Sequence, residues 1–327
     1  MNQRVSIEAE SFEIAGGFKI SRETRTHAKV VVVTISDGPV SGRGECVPYP
    51  RYGESLETVQ TQIEEVSPLL QNGLSREALL EAMPAGAARN AVDCALWDLE
   101  AKRAGKTASE LAGLGKLHPV TTAFTISVDT PEEMARKTAA AAHRPLLKVK
   151  LAGPGDDERI RAVRGAAPGA KLIVDANEAW DESCFDTNMA ACAEVGVELI
   201  EQPLPAKADD MLASFQSPIT ICADESLSPG KGLDGLRGKY GAVNIKLDKA
   251  GGLTEALRLL DAARSLDFTV MMGCMLGTSL AMAPAILVGQ NADYVDLDGP
   301  LLLTRDRSPG LRFDESTLYP PEPALWG

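Results

Sequence analysis

Short apolar runs alternate with helical stretches from about Thr121 towards the C-terminal end of the chain. The runs are TAFTIS, LLKVKL, KLIVDAN, VELIEQP, ITICADES, AVNIKLD, FTVMMGC and DYVDLD. Continuous apolar runs are typical of buried parallel strands, and their alternation with helices is typical of βα units. The polar residues that end five successive runs lie 27, 26, 23 and 22 positions apart, about one βα unit each. The pattern predicts an α/β fold with a closed (β/α)7β TIM-like barrel, and a doubly wound open sheet is the alternative.

The first 117 residues have a different pattern. Residues 5–14 and 28–36 are apolar or alternating and rich in β-branched side chains, which predicts strands. Apolar residues at helical spacing over 55–70 and 86–105 predict two helices, the second of which ends at Gly105. This N-terminal segment is therefore expected to form an α+β unit. The Pro-rich end of the chain contains no further βα unit, and we expect it to return to the N-terminal unit.

Composition narrows the classes of partner. The chain has 33 basic and 46 acidic residues and a net charge of −13, without a long run of one sign, which disfavours nucleic acids and anionic membranes. The N-terminus lacks the apolar stretch of a secretory signal, and no apolar run reaches the roughly 18 residues of a membrane span. We therefore expect a cytoplasmic protein. Six cysteines without CxxC pairing and three histidines without ligand spacing disfavour a zinc site.

Charged residues end most of the predicted barrel strands. They are Lys148, Lys150, Asp175, Glu201, Asp224, Lys246, Asp296 and Asp298. In a βα barrel the active site lies at the carboxyl ends of the strands. Lys148 and Lys150 are two residues apart and share a strand face, where burying ammonium groups without partners costs several kcal/mol each. The pattern therefore indicates a functional site.

Three of these residues, Asp175, Glu201 and Asp224, supply carboxylates from successive strand ends. Carboxylate oxygens are ligands that Mg²⁺ accepts, with water and substrate oxygens completing the coordination. The sequence therefore predicts a magnesium site, and a structural ion-pair network with the lysines is the alternative.

Five motifs, KVK, DAN, EQP, ADES and NIKLDKAGG, lie on successive predicted strands. The ordered set resembles the muconate-lactonizing subgroup of the enolase superfamily, and the resemblance covers almost the whole chain. It implies a barrel catalytic domain over residues 118–304. It also implies an α+β capping domain formed by residues 1–117 and completed by about 305–327.

The resemblance also implies roles for the strand-end residues. Mg²⁺ would be held by the three carboxylates, and Lys150 and Lys246 would act as acid and base on opposite faces of the substrate. Removing a proton next to a carboxylate leaves extra negative charge on oxygen, which a bound Mg²⁺ stabilises. The positive charge of Lys148 would lower the pKa of Lys150 towards working pH, so we include Lys148 in the catalytic group.

The choice of substrate depends on residues outside this machinery. Asp296 and Asp298 share a strand face and suit a free α-ammonium group, and they resemble the aspartate pair of dipeptide epimerases. Arg25 matches the position that binds the side-chain carboxylate of glutamate in Ala-Glu epimerases, and Arg22 is a near rival. Thr125 ends the first barrel run and is a further candidate contact. We therefore expect an isomerase whose small-molecule substrate is a dipeptide, and the resemblance implies L-Ala-D/L-Glu.

Alternatives remain open at this point. An N-acylamino-acid racemase or an o-succinylbenzoate synthase would use the same barrel, but their substrates lack a free ammonium group. A non-catalytic barrel that binds acidic ligands or a partner protein is an alternative from another class, and a homo-oligomer is possible. A GxGxxG pattern at Gly230, Gly232 and Gly235 does not directly follow a strand, and we interpret it as a loop and helix start.

Overall fold

A three-stranded antiparallel sheet and three helices form the N-terminal part of the computed structural model, which describes residues 3–228 and 232–327. The strands are β1 (Arg4–Lys19), β2 (Thr24–Asp37) and β3 (Val40–Cys46). The helices are α1 (Leu56–Gln71), α2 (Arg76–Ala82) and α3 (Ala87–Ala104), followed by the short α4 (Ala108–Leu111). The sheet and α1–α3 enclose one apolar core, as expected for alternating strands and amphipathic helices.

Eight parallel strands form the second part, after the short strand β4 (Val120–Thr121). They are β5 (Phe124–Ile126), β6 (Leu146–Lys150), β7 (Lys171–Asp175), β8 (Val197–Glu201), β9 (Thr220–Ala223), β10 (Ala242–Lys246), β11 (Thr269–Gly273) and β12 (Tyr294–Val295). Each strand pairs with the next along the chain. A bridge between Thr122 and Val295, with the Ala123 amide donating to the Val295 carbonyl at 2.8 Å, joins the last strand to the first. The predicted barrel is confirmed.

The helices of the barrel do not follow every strand. They are α5 (Pro131–Ala140), α6 (Asp156–Ala166), α7 (Phe185–Glu194), α8 (Leu247–Ala250), α9 (Leu253–Ser265) and α10 (Ser279–Gly289). Among the described residues of the connections after β8 and β9, the helical elements are 3-10 turns, over Asp210–Ala213 and Leu233–Leu236. Prolines interrupt the first connection and glycines the second, and both residue types disfavour helices.

Part of the GxGxxG pattern can be located. Gly230 lies outside the described residues, whereas Gly232 directly precedes the second 3-10 turn and Gly235 lies within it. The connection from β9 to β10 therefore begins as a loop and continues as a single helical turn.

The β1–β2 hairpin is longer than the sequence predicts. Phe18 pairs with Arg25 and Lys19 with Thr24, so the two strands extend into residues 15–27, between the segments predicted as strands. The register shifts between Glu13 and Phe18, where two glycines with positive φ interrupt the ladder. Only residues 20–23 form the turn, and this turn reaches the carboxyl ends of the barrel strands.

The C-terminal tail returns to the N-terminal part, as expected. Strands β13 (Phe313–Asp314) and β14 (Thr317–Leu318) form a small sheet with β4. The buried Trp326 indole donates to the Cys94 carbonyl at 3.0 Å, and the Gly327 amide donates to Asp98 Oδ1 at 2.7 Å. A last 3-10 turn, Gly299–Leu302, precedes the tail. Within residues 3–228 and 232–327, none of the helices combines the length and the apolar character needed to cross a lipid bilayer.

Candidate active site

The predicted charged residues meet at the carboxyl ends of the barrel strands. Lys150, Asp175, Glu201 and Lys246 are the last residues of β6, β7, β8 and β10, and Asp224 directly follows β9. All five are buried. Because parallel strands end at one rim of the barrel, the alternation of acidic and basic residues along the chain becomes a ring of opposite charges in space.

Lys148 lies at the centre of this ring. Its Nζ is 2.7 Å from Asp296 Oδ2, 2.7 Å from Glu201 Oε2 and 3.2 Å from Asp175 Oδ2. Burial alone would lower the pKa of Lys148, but the three carboxylates outweigh it and raise this pKa well above its usual value. Lys148 is therefore a fixed positive charge between the acidic residues.

Lys150 and Lys246 approach from opposite sides. Their strands, β6 and β10, are four apart in the ring of eight. The Nζ of Lys150 lies 2.6 Å from Asp175 Oδ2, and that of Lys246 lies 2.7 Å from Asp224 Oδ2 and 3.8 Å from Glu201 Oε1. Burial would lower the pKa of Lys246, but the charges of Asp224 and Glu201 raise it well above its usual value.

The three carboxylates differ in their proton affinity. Burial opposes the ionisation of Asp175, but Lys150 and Lys148 together bring its pKa below the usual range. The pKa of Asp224 is also well below its usual value, because Lys246 and a second lysine outweigh the cost of burial. By contrast, burial and the neighbouring charge of Asp175 raise the pKa of Glu201 to about 7.

These carboxylates fit a magnesium ion by their chemistry. They are buried, come from adjacent strands and offer hard oxygen donors. With the present side-chain positions, no three acidic, histidine or cysteine groups of the described residues lie close enough together to hold a metal ion. The lysine ammonium groups stand between the carboxylates and neutralise them. A divalent cation held by these oxygen atoms would take over the charge neutralisation that the ammonium groups now provide.

A cavity of about 70 Å³ lies above the ring. Its lining includes the predicted residues Arg25, Thr125, Lys148, Lys150, Asp224, Lys246, Asp296 and Asp298. Asp175 and Glu201 lie beneath it, in contact with the lysines. Phe18, Tyr49 and Tyr52 of the N-terminal part cover the opposite side. Both parts of the chain therefore enclose the same space.

Asp296 and Asp298 follow β12, which ends at Val295, so neither belongs to the strand itself. Both still line the cavity. The Thr125 amide donates to Asp298 Oδ2 at 2.6 Å, while burial and the charge of Asp296 raise the pKa of Asp298 to about 7. The Oδ1 atom of Asp296 accepts no hydrogen bond within the described part of the chain. The pair therefore retains acceptor capacity for a cationic group.

The two arginine candidates have different surroundings. Arg22 donates to Glu178 Oε2 and Glu225 Oε1, each at 2.8 Å, so its guanidinium is already bound to the barrel. Arg25 lies over the ring of Tyr49, 4.5 Å from its centre, and forms an ion pair with Glu23 at 2.5 Å. Glu23 is an exposed partner that an incoming carboxylate could displace, and this favours Arg25 over Arg22.

Two polar residues of the site were missed in the sequence. Lys249 is buried and donates to Asp224 Oδ1 at 2.5 Å and to the Asp224 carbonyl at 2.6 Å. Asn244 donates to Glu201 Oε1 at 2.6 Å. Asn244 lies two residues before Lys246, on the same strand face, so its position in an apolar run was a usable signal. Lys249 follows the strand in a helical turn that the pattern did not predict.

Comparison with known sequences decides the family. Residues 131–319 match the family description "Enolase C-terminal domain-like". Residues 3–113 match "Mandelate racemase / muconate lactonizing enzyme, N-terminal domain". The chain belongs to the enolase superfamily. The resemblance drawn from the strand-end motifs is confirmed.

Several relatives of this superfamily member are similar over their whole length. The L-Ala-D/L-Glu epimerase of Escherichia coli K12 is 45% identical, over 96% of this chain and 99% of the relative. The N-acetyl-D-glutamate racemase of a Pseudoalteromonas species is 43% identical, over 91% and 95%. An enolase family member from Agrobacterium tumefaciens with homology to dipeptide epimerases, solved with sodium and L-Ala-L-Glu, is 54% identical with a TM-score of 0.98 over 99% and 100% of the two chains.

Proposed function

We propose that this chain is a dipeptide epimerase, an isomerase that inverts the α carbon of the C-terminal residue of L-Ala-D/L-Glu. The observation that carries the proposal is the placement of Lys150 and Lys246 on opposite sides of one cavity, above a buried carboxylate cluster. Inversion at carbon needs a base on one face and an acid on the other. The E. coli relative at 45% identity bears the same activity in its name.

The two lysines share the proton transfer. One lysine, as the neutral amine, takes the α proton from its face of the substrate. The other returns its own proton to the opposite face, and the two exchange roles when the other epimer is bound. Lys148 lines the same cavity, and its contacts with Glu201, Asp175 and Asp296 hold the carboxylates in place and contribute fixed positive charge.

We assign the magnesium site to Asp175, Glu201 and Asp224. Bound there, Mg²⁺ would stabilise the negative charge that develops on the substrate carboxylate as the α proton leaves. A dipeptide epimerase from Cytophaga hutchinsonii, 27% identical with a TM-score of 0.90 over 98% of this chain and 93% of its own, was crystallised with Mg and D-Ala-L-Val. The buried, oxygen-rich donor set of this chain supports the same ion.

The specificity residues lie around the rest of the cavity. We assign the substrate's α-ammonium group to Asp296 and Asp298; both line the cavity, and Asp296 Oδ1 accepts no hydrogen bond from the described residues, which supports this role. Thr125 fixes Asp298 through its backbone amide. We assign the side-chain carboxylate of glutamate to Arg25, since a guanidinium binds a carboxylate with two parallel hydrogen bonds.

The same assignment gives the two parts of the chain separate tasks. We propose that residues 1–117, completed by 305–327, cap a catalytic barrel formed by 118–304. The ion pairs of Arg22 with Glu178 and Glu225 support this division, because they join the β1–β2 turn to loops that follow barrel strands. A cytoplasmic location, the absence of nucleic acid and membrane partners, and a homo-oligomer remain predictions from the sequence.

Racemisation of N-acetylglutamate is the second candidate. One observation favours it: Lys148 already pairs with Asp296, and Asp298 has a pKa of about 7, so the aspartate pair carries less free negative charge than two ionised carboxylates. The Pseudoalteromonas relative at 43% identity is named for this substrate class. The two candidates share the lysines and differ only in the group that faces the aspartates.

Hydrogen exchange separates the two candidates. The purified protein is incubated with Mg²⁺ in deuterated water, and the α-proton signal is followed by NMR for L-Ala-L-Glu, L-Ala-D-Glu and N-acetyl-L-glutamate. Loss of the signal with both dipeptides at a rate well above that with N-acetylglutamate supports the epimerase. Exchange only with the N-acylated substrate would replace it with the racemase, and removing Mg²⁺ with EDTA should stop either reaction.

A further inference from the structure

One face of helix α3 forms hydrogen bonds with the segment that directly follows Lys246. Arg89, Asn90, Asp93 and Trp97 lie on this face, since residues four apart in a helix share one side. All four are buried. Each of them binds a residue of segment 247–254, which contains α8 and the start of α9. Arg89 also donates to the Met83 carbonyl, and Asn90 also donates to the Glu45 carbonyl. The catalytic strand β10 is therefore continued by a segment that a helix of the N-terminal part holds.

Arg89 and Asn90 bind the first half of the segment. The Nε of Arg89 donates to the Gly251 carbonyl at 2.9 Å, and its Nη2 donates to the Ala250 carbonyl at 2.7 Å. These carbonyls lie at the C-terminal end of α8, where a cation is favourable. The Asn90 Nδ2 donates to Asp248 Oδ1 at 2.9 Å, inside the same helical turn.

Asp93 and Trp97 bind the second half. The backbone amide and the hydroxyl of Thr254 donate to the two oxygens of Asp93, at 2.9 and 2.6 Å. The Trp97 indole donates to the same hydroxyl at 2.9 Å. Every polar group of this small network has a partner, so the network is rigid as well as buried.

Two glycines allow this close approach. A Cβ on Gly251 would stand 2.6 Å from Arg89 Nε, and a Cβ on Gly252 would stand 2.5 Å from the Cβ of Asp93. Both glycines also have positive φ, at 80° and 119°. The pair in the NIKLDKAGG motif is therefore explained by contact with α3 and not by the cavity.

Segment 247–254 is connected to the reacting groups at two points. It begins at the residue after Lys246, and it carries Lys249, which binds both a side-chain oxygen and the carbonyl of Asp224. A shift of α8 would therefore move Lys246 and Asp224 together. Lys150, on the opposite side of the barrel, has no such connection to α3 among its described contacts.

We propose that the Arg89, Asn90 and Asp93 face of α3 is a positioning device for Lys246, which makes the N-terminal part a determinant of proton transfer on one face of the substrate. The inference rests on the proposed two-lysine epimerase. It predicts an asymmetry: loss of the hydrogen bonds between α3 and segment 247–254 impairs proton transfer by Lys246 and leaves proton transfer by Lys150 nearly unchanged. A structural contact without this role would affect both sides alike.

The test compares α-hydrogen exchange from the two epimers separately. When one lysine is displaced, the other can still remove the proton from its own face and return deuterium to the same face. Exchange without inversion therefore continues from one epimer and stops from the other. Initial exchange rates for L-Ala-L-Glu and L-Ala-D-Glu in deuterated water, measured with the Lys246→Ala variant, first establish which epimer depends on Lys246.

The key variant is Arg89→Met, with Arg103→Met as its matched control. Arg103 lies on the same helix but binds Asp37 at the surface, away from segment 247–254. We expect Arg89→Met to slow exchange from the Lys246-dependent epimer by about 10-fold to 100-fold, the loss that follows from a displacement on the order of 1 Å, and to change the other rate less than about twofold. Arg103→Met should leave both rates near those of the wild type.

A second, more conservative variant keeps the inference testable if the first variant does not fold. If Arg89→Met does not give folded protein by circular dichroism, Asp93→Asn is measured instead, because it keeps one acceptor for Thr254. Equal slowing of both epimers, or no change in either, in a folded variant would overturn the inference. If the wild type itself exchanges neither epimer, the proposed function has failed, which is a distinguishable result.

Discussion

Lys150 and Lys246 end strands that lie four apart in an eight-stranded barrel, so their side chains enter the cavity from opposite sides. Each contacts a different carboxylate, Asp175 or Asp224, and the two lysines therefore have separate environments. This arrangement suits a reaction in which the two faces of one carbon are treated by different groups. It explains why a barrel with this rim can invert a centre instead of merely exchanging a proton.

Removing a carboxylate ligand should weaken metal binding. We expect Glu201→Gln to lower Mg²⁺ affinity by at least about tenfold, a loss seen even for groups that only support a metal ligand. Isothermal titration of Mg²⁺ into the substrate-free protein measures it. Glu198→Gln is the matched control, because Glu198 lies on the same strand but pairs with Lys171 at the outside. Equal affinities for both variants and the wild type would refute the assigned site.

The aspartates after β12 should act on the substrate's ammonium group. Asp298→Asn removes a negative charge and is expected to raise KM for L-Ala-L-Glu about tenfold, since hydrogen bonds to charged groups contribute roughly 1.5–3 kcal/mol. KM for N-acetyl-L-glutamate should stay nearly constant. The control is Asp293→Asn, which changes an aspartate that binds Arg264 outside the cavity. A similar rise in KM for both substrates would mean that Asp298 supports the site without binding the ammonium group.

Arg25 should determine the preference for glutamate. We expect Arg25→Met to raise KM for L-Ala-L-Glu about tenfold or more and to leave KM for L-Ala-L-Leu nearly unchanged, because only the first substrate offers a side-chain carboxylate. Arg22→Met removes the ion pairs with Glu178 and Glu225 instead and should affect both substrates alike. If Arg22→Met were the variant that changed the ratio, the two arginines would have to exchange roles.

Asp248 makes stability depend on pH. It is buried and accepts hydrogen bonds from the Val47 amide and from Asn90, and burial raises its pKa to about 7. Since the unfolded value is about 3.9, the folded protein binds this proton more tightly. The resulting stabilisation is complete below about pH 4 and is lost as pH rises through 7.

The variant Asp248→Asn removes this proton while keeping an acceptor for both donors. Its melting temperature should exceed that of the wild type by about 2 °C or more at pH 8, with a smaller difference or none at pH 4. Thermal denaturation at both pH values measures the effect. Asp261→Asn on the exposed side of α9 is the control. A difference that is the same at both pH values would contradict the raised pKa of Asp248.

Much of the barrel could be predicted from the sequence because buried parallel strands have a strong signal. Each of the eight apolar runs contains a strand, and the charged residues that end six of these runs lie at the rim. The 3-10 turns after β8 and β9 were harder to predict, because residue spacing gives the length of a connection but not its conformation. The strands of the β1–β2 hairpin were predicted too short for a related reason. Gly16 and Gly17 indicate a loop, although the strands continue past them.

The site was predictable where one residue carries its own signal. A lysine such as Lys150 in an apolar run is costly to bury and therefore conspicuous. The α3 face was not found, since its contacts join residues about 160 positions apart, as in the 162 positions between Arg89 and Gly251. Such contacts depend on how a helix docks against the barrel, which residue patterns along one segment do not specify.

The central claim is that two lysines act on opposite faces of one α carbon, and single-turnover exchange with Lys150→Ala and Lys246→Ala tests it most directly. In deuterated water with Mg²⁺, each variant should lose epimerisation of L-Ala-D/L-Glu by at least about 10²-fold, the scale of general acid–base catalysis. Each should still exchange the α proton of one epimer, and the two variants should retain opposite epimers. Epimerisation at the wild-type rate in both variants, or retention of the same epimer by both, would contradict the account.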